Sequence, residues 1–199
     1  MTQARPKYDT CFFERYAMAS LRHLFGGPYA DLVNRDRPDL QSPDHSIGIE
    51  VTRAMREDRY AAQALVNEMA GTDVYDIPYA YGSYPSAQMS LREQRYWNTA
   101  LPMQRILESK IQKVGNGFYG DFDTMGLYIF SKEDLLESEV ESSLRLAMLL
   151  QQGLTKVYDI IFISQIQALY VCNPQKGTFR TIDIDDEMGR RFYEEASRA

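Results

Sequence analysis

The segment 37–54, RPDLQSPDHSIGIEVTRA, carries Asp39 before a predicted turn and Glu50 after it, within a strictly alternating strand. Proline at the second position of residues 42–45, SPDH, is typical of a type I turn, so we expect the chain to reverse there. Beyond the turn, isoleucine and valine alternate with Gly48, Glu50 and Thr52, which is the pattern of a strand with one apolar face. The segment therefore predicts an antiparallel hairpin with one polar face.

The position of the turn predicts how the two strands pair. We expect Ser42 to pair with His45. This register puts Asp39 opposite Gly48, with Glu50 as a diagonal neighbour on the same face, roughly 7–8 Å away between backbone positions. Two carboxylates at about that distance repel each other by roughly 2–3 kcal/mol at an effective dielectric near 20. A divalent cation such as Mg²⁺ would offset the repulsion, and Gly48 is expected to leave room for it.

The rest of the chain shows the pattern of an α/β domain. Helices are expected at about 10–25, 56–70, within 86–98, at about 102–115 and 131–150, and at the C-terminus. The helix at 131–150 is expected to begin with a capping box made by Ser131 and Asp134. Strands are expected at about 29–33, 37–41 and 46–52, and within MGLYIF, YDIIFIS, QALYVCN and TFRTIDI. This order predicts one domain, 1–199, built on a mixed β-sheet with an antiparallel edge and flanking helices.

Length, cysteine content and hydropathy limit the class of protein. A chain of 199 residues can bury roughly 70% of its unfolded surface without disulfides. Cys11 and Cys172 are far apart in apolar surroundings, so both are expected to be buried thiols in a reducing compartment. The N-terminus has no apolar signal segment, and no stretch approaches the roughly 18 apolar residues of a membrane span. We therefore expect a soluble, cytoplasmic protein that does not bind a membrane.

The net charge of −6 counts against simple nucleic-acid binding, because Lys and Arg supply most of the non-specific affinity for phosphates. The charge is unevenly distributed, however. Residues 1–120 carry 14 basic and 14 acidic side chains, whereas residues 121–199 carry 8 basic and 14 acidic ones. The N-terminal part is where a polyanion would bind.

The sequence PDL, a turn and IGIEVT resembles the core of the PD-(D/E)XK nuclease superfamily, which has the restriction-endonuclease-like fold. Pro38-Asp39 matches the first half of its motif, and residues 50–52 match the second half except that Thr52 replaces the lysine. The resemblance covers a catalytic core of about 10–130, with C-terminal strands and helices at about 131–199. It implies a Mg²⁺- or Mn²⁺-dependent endonuclease, a phosphodiesterase acting on DNA or RNA, with Asp39 and Glu50 as metal ligands. A homodimer would suit the cutting of both strands.

Some branches of this superfamily supply an acid from the first helix and the cation from a neighbouring helix. Glu14 is similarly placed to be that acid. In PMQRILESKIQKV, Lys110 falls inside the apolar arc of the helix and Lys113 lies at its edge. Lysine is rarely buried without a partner, so Lys110 is our candidate for the missing lysine, with Thr52 holding the usual position on the strand. The alternative is that Lys110 covers apolar surface with its stem while its amine reaches water.

The basic residues near these acids are candidates for phosphate contacts. Arg53 and Arg56 follow the acidic strand, and Lys113 follows Lys110 by one helical turn. Two functions from other classes stay open. A non-catalytic interaction or regulatory module of the same fold would explain the missing lysine and the net negative charge, and an unrelated ligand would fit if the hairpin pairing proved wrong.

Overall fold

The computed structural model describes residues 10–55, 67, 92, 96–131 and 134–198. The α-helices in these ranges are α1 (Thr10–Phe25), α2 (Leu101–Gly115), α3 (Glu137–Gln151) and α4 (Asp186–Ser197), and a π-helical turn, Tyr96–Ala100, leads into α2. The strands are β1 (Val33–Asn34), β2 (Leu40–Gln41), β3 (Ile47–Ala54), β4 (Thr124–Ser131), β5 (Ile160–Ser164), β6 (Ala168–Asn173) and β7 (Thr178–Asp183). Arg56 and the side chain of Cys11 lie outside the described residues. So do the two helices predicted at 56–70 and within 86–98, apart from a few positions.

The seven strands form one sheet in which spatial order follows chain order, β1 to β7. The central strands β3, β4 and β5 are parallel to one another, and the remaining pairs are antiparallel. Strand β4 is paired on both sides and almost entirely buried, which explains its continuous apolar sequence TMGLYIFS. The predicted α/β class, with a mixed sheet and an antiparallel edge, is confirmed.

Two apolar cores cover the two faces of the sheet. Helices α1 and α4 pack on one face and α2 and α3 on the other. Because successive side chains of a strand point to opposite faces, Ile47 and Ile49 of β3 enter the α1 core, whereas Ala54 enters the α2 core. The same alternation directs Glu50 and Thr52 towards α2.

Several predicted boundaries were wrong. Residues 27–29 form a 3₁₀ turn, and β1 and β2 are only two residues long. Ser131 does not cap a helix, because it is the last residue of β4 and pairs with Ala54 in the sheet. Helix α3 begins only at Glu137, where the Glu139 carboxylate accepts a hydrogen bond of 2.8 Å from the Leu136 N–H.

Two predictions from composition can be compared with the structure. Cys172 on β6 is buried, as its apolar surroundings predicted, and burial raises the pKa of its thiol to about 12. Within the part of the chain that is described, no helix combines the length and the apolar character needed to cross a membrane.

Candidate functional site

The hairpin between β2 and β3 reverses where its sequence predicted, but its strands pair differently. The N–H of His45 donates to the carbonyl of Ser42 at 3.1 Å, which closes the expected turn. Ser42 nevertheless pairs with Ile47, whose carbonyl accepts from the Ser42 N–H at 2.9 Å. The Asp44 carboxylate accepts from both the N–H and the hydroxyl of Ser46, at 3.0 and 2.7 Å. These bonds hold the loop together outside the ladder, so the predicted pairing of Ser42 with His45 was wrong by two residues.

The observed register changes which residue of β3 comes next to Asp39. Leu40 pairs with Ile49, and continuing this register by one residue puts Asp39 directly opposite Glu50. Gly48, which we had placed opposite Asp39, pairs with Gln41 instead. A shift of two residues leaves every side chain on its original face, because strand side chains alternate with a period of two. Asp39 and Glu50 therefore share a face.

Gly48 does not leave room for a ligand, contrary to our expectation. A Cβ atom at this position would lie 2.8 Å from the ring of Phe122 and 2.9 Å from Cγ of Pro38. The space is thus filled by packing against the residue that precedes Asp39. The carbonyl of Pro38 also accepts a hydrogen bond of 3.0 Å from the Gln41 side chain. Both contacts fix the backbone on which Asp39 is carried.

Asp39 lies where the main-chain ladder of β2 ends. Its Oδ2 accepts a hydrogen bond of 2.7 Å from the N–H of Val51, so the carboxylate is anchored to β3. Burial and the neighbouring Glu50 carboxylate raise the pKa of Asp39 to about 7, and Glu14 also raises it. The Val51 hydrogen bond and the Lys110 ammonium act in the opposite direction. Asp39 is therefore a carboxyl group poised to exchange a proton near neutral pH.

Lys110 reaches this face from α2. Its Nζ lies 2.5 Å from Oε1 of Glu50, and the two side chains are only 14% and 10% exposed. The neighbouring Leu107 and Ile111 are buried in the α2 core, so the helix is held against the sheet on either side of the amine. The amine of Lys110 thus points to a carboxylate rather than into water.

Two tyrosines enclose the same face, and the sequence had not drawn attention to either. Tyr119 is 4% exposed, and its buried hydroxyl makes no hydrogen bond of ordinary geometry within the described ranges, although Glu50 and Tyr158 lie near enough to act on it. Burial, followed by the Glu50 carboxylate, raises the pKa of Tyr119, so the hydroxyl keeps its proton. The Tyr158 ring is centred 6.4 Å from that of Tyr119, and its hydroxyl donates to the Lys110 carbonyl at 3.3 Å.

Glu14 and Thr52 border this site. Glu14 is half-buried on α1, and its Oε2 accepts a hydrogen bond of 2.6 Å from the Asn34 side chain at the sheet edge. It is close enough to raise the pKa of Asp39. Thr52 is half-buried on β3, in register with Ile129 and on the same face as Glu50.

The residues predicted to contact phosphate lie on different sides of the sheet. The guanidinium of Arg53 lies over the Phe13 ring, 4.7 Å from its centre, on the α1 side of the sheet. Arg53 therefore faces away from the carboxylates. Lys113 lies on the correct side, with its amine 5.4 Å from the centre of the exposed Phe118 ring.

Asp39 and Glu50 are the carboxylates of this face that could hold a metal ion, although Glu50 is already paired with Lys110. Across residues 10–55, 96–131 and 134–198, no three His, Cys, Asp or Glu side chains are grouped so as to hold a metal ion. Asp39 and Glu50 remain as a facing pair, and Mg²⁺ commonly takes only one or two carboxylates together with waters and phosphate oxygens. Burial and the charge of Glu50 raise the pKa of Asp39, and a bound cation would act in the opposite direction.

Comparisons of the chain with models of protein families, with curated proteins and with solved structures each found no match.

Proposed function

We propose that this protein is a metal-dependent nuclease of the PD-(D/E)XK type, which hydrolyses phosphodiester bonds in DNA or RNA. The observation that carries the proposal is the meeting of Asp39, Glu50 and Lys110, which come from the β2–β3 hairpin, from β3 and from α2. The order of elements over 10–130, a helix, three antiparallel strands, a helix and a strand parallel to the third, supports a restriction-endonuclease-like fold.

Each residue has a role that its surroundings support. Asp39 and Glu50 would hold Mg²⁺ or Mn²⁺, which when bound activates water and offsets the charge of the scissile phosphate. Lys110, oriented by Glu50, would stabilise the negative charge that develops on the phosphate. The Val51 N–H fixes the direction of the Asp39 carboxylate. The protonated Tyr119 hydroxyl, buried close to Glu50, would help to orient that carboxylate.

The test is cleavage of plasmid DNA, single-stranded DNA and RNA by the purified protein, with Mg²⁺, with Mn²⁺ and with EDTA. Asp39→Asn and Glu50→Gln should lower the metal-dependent rate by about 10²–10³-fold or more, the scale for losing one preorganised electrostatic group. Arg145→Gln is the control, because Arg145 is exposed on α3 and forms a 3.1 Å pair with Glu141 outside the candidate site. This variant should cleave like the wild type.

Variants purified in the same way also control for contaminating nucleases. Equal cleavage by wild type and Asp39→Asn would refute the proposal. So would the absence of metal-dependent cleavage of all three substrates by the wild-type protein.

The second candidate function is a non-catalytic interaction or regulatory module. It is favoured by the Lys110–Glu50 ion pair, because the charge of Glu50 is then already balanced within the protein. Asp39 would be left as the carboxylate that a metal ion could bind without breaking this pair. A thermal melt separates the two functions. A catalytic site should gain stability from millimolar Mn²⁺, whereas a module without a metal site should melt at the same temperature with and without it.

A further inference from the structure

The C-terminal end of α2 holds an exposed aromatic ring in a fixed position. Gly117 adopts φ +71°, and its N–H donates to the Val114 carbonyl at 2.9 Å. The next N–H, that of Phe118, donates to the Lys113 carbonyl at 3.1 Å. These two bonds define a Schellman motif, which sets the direction of the chain as it leaves the helix. Phe118 is thus placed by the backbone, yet it is 47% exposed.

Two cations from different elements flank this ring. The Arg37 guanidinium lies 5.2 Å from the ring centre and the Lys113 amine 5.4 Å from it. Arg37 precedes Asp39 by two residues, and Lys113 follows Lys110 by one helical turn. The aromatic and basic cluster of Arg37, Lys113 and Phe118 is therefore carried by the same two elements that supply the candidate site.

The cluster is also joined to the site through Tyr119. The rings of Phe118 and Tyr119 meet edge to face with their centres 5.3 Å apart. Tyr119 is the buried tyrosine that encloses the face of Asp39 and Glu50. The exposed Phe118 is thus the chain neighbour of a tyrosine that lies beside the carboxylates.

A groove of about 530 Å³ runs beside the cluster. Its walls include Arg35, Arg37, Gln41, His45, Tyr119 and Phe122. Two acids also line it, but Asp36 lies 3.6 Å from Arg37 and Asp121 lies 2.5 Å from Lys156. Each acid is thus offset by a cation. The lining itself carries two arginines and two aspartates, and Lys156 and Lys113, which lie just outside it, make the surrounding surface positive, although the whole chain has a net charge of −6.

We propose that Arg37, Lys113 and Phe118 bind an unpaired nucleotide beside the scissile phosphate, so that the substrate is single-stranded nucleic acid or a junction that exposes an unpaired base. A base stacks on the Phe118 ring, and the adjoining phosphates contact Arg37 and Lys113. A continuous duplex keeps its bases stacked on one another and cannot make the ring contact. The inference rests on the proposed nuclease function and adds the class of substrate.

Packing alone does not account for the ring. In a Schellman motif the residue after the glycine commonly covers an apolar residue in the last turn of the helix. Here the corresponding residue is Lys113, and the ring remains half exposed. Base stacking on an aromatic ring next to basic side chains is the usual chemistry of single-strand binding.

The experiment measures binding separately from cleavage. Fluorescence anisotropy in EDTA gives the Kd for a labelled 20-nucleotide DNA strand and for the same strand in a duplex. The wild type should prefer the single strand. Phe118→Ala should weaken single-strand binding by about 5–100-fold, the range for losing one base–aromatic stack, and should remove the preference over duplex. Phe118→Trp should keep the preference.

The cations have their own readout. Arg37→Gln and Lys113→Gln should each reduce the slope of log Kd against log salt by about 0.7, the value for one lost single-strand phosphate contact. Arg145→Gln is the matched control, because Arg145 is an exposed arginine on α3, paired with Glu141, away from the cluster. It should leave the slope unchanged.

The outcomes separate the inference from the function on which it rests. Preference of the wild type for duplex, or unchanged single-strand binding by a folded Phe118→Ala variant, would overturn the inference, while loss of cleavage in Asp39→Asn would still support the nuclease. Single-strand binding that depends on Phe118, without any metal-dependent cleavage, would support the binding site and overturn the nuclease. Melting curves of both Phe118 variants establish that each is folded.

Discussion

Replacing Asp39 by asparagine should make the metal-free protein more stable at pH 8, although it removes a proposed metal ligand. Burial and Glu50 raise the pKa of Asp39 from 3.8 in the unfolded chain to about 7 in the folded protein. Between these values the unfolded chain releases the proton while the folded protein keeps it. The contribution of Asp39 to the free energy of unfolding therefore falls as pH rises from about 4, and it levels off above about 7. Asparagine does not titrate and avoids this loss.

The size of the effect follows from the same pKa values. A rise from 3.8 to about 7 corresponds to at most about 4 kcal/mol, at about 1.4 kcal/mol for each pKa unit. Asp39 keeps some contact with solvent, which screens the charge, so we expect about 1–2 kcal/mol at pH 8. The amide oxygen of asparagine can still accept the hydrogen bond from the Val51 N–H, so that contact need not be lost. For a chain of this length the gain corresponds to a Tm higher by about 2–8 °C.

The assay is urea unfolding followed by circular dichroism in EDTA, at pH 8 and near pH 4. Asp44→Asn is the control in the same hairpin. Hydrogen bonds from Ser42 and Ser46 lower the pKa of the exposed Asp44 to about 2, so its charge favours the folded state above about pH 4 and its removal should not stabilise the protein at pH 8. If Asp39→Asn is no more stable than the wild type at pH 8, or if its advantage does not shrink towards pH 4, the electrostatic description of this site is wrong.

Three further results are expected. Millimolar Mn²⁺ should stabilise the wild type by about 2.7 kcal/mol at a hundredfold excess over Kd, and Asp39→Asn should lose most of that gain in a thermal melt. Lys110→Met should destabilise the fold by about 3 kcal/mol, because it leaves Glu50 mostly buried and unpaired, whereas Lys156→Met should change stability by under about 0.5 kcal/mol. Adding Glu50→Gln to Lys110→Met should restore most of the stability but no cleavage; no recovery would contradict the ion-pair account. Single-turnover cleavage should slow as pH falls below about 7, because a protonated Asp39 binds cations poorly, and a flat profile from pH 5 to 9 would contradict this assignment.

That Asp39 and Glu50 share a face could be predicted from the alternation of side chains alone. The predicted register was wrong by two residues, and a shift by an even number of residues leaves each side chain on the same face of the sheet. The register itself could not be predicted, since it is set by the Asp44 carboxylate binding Ser46 inside the loop. The same alternation places Arg53 on the face opposite Glu50. Thr52 shares the face of Glu50, so the next residue of β3, Arg53, must point to the other face. The alternation was therefore sufficient to exclude Arg53 from the carboxylate face.

Helical periodicity identified Lys110, because a cation inside an apolar arc must meet either solvent or a partner. It could not identify Phe118 and Tyr119, which lie beyond the last turn of α2. The sequence GNGFYG shows that the helix stops, but the direction of the next residues depends on the left-handed conformation of Gly117 and on the two hydrogen bonds that accompany it. The available signal for these residues was the position of two aromatic side chains between Gly117 and Gly120.

The Lys110–Glu50 contact joins residues 60 positions apart, and it exists only while α2 lies against β3. Helices can detach from a domain at a lower free energy than global unfolding requires. The proposed activity would then report on the docking of one helix rather than on the integrity of the whole sheet. On heating, cleavage should disappear before the β-sheet signal does, and a nuclease built in this way would be switched off by a local opening that leaves most of the chain folded.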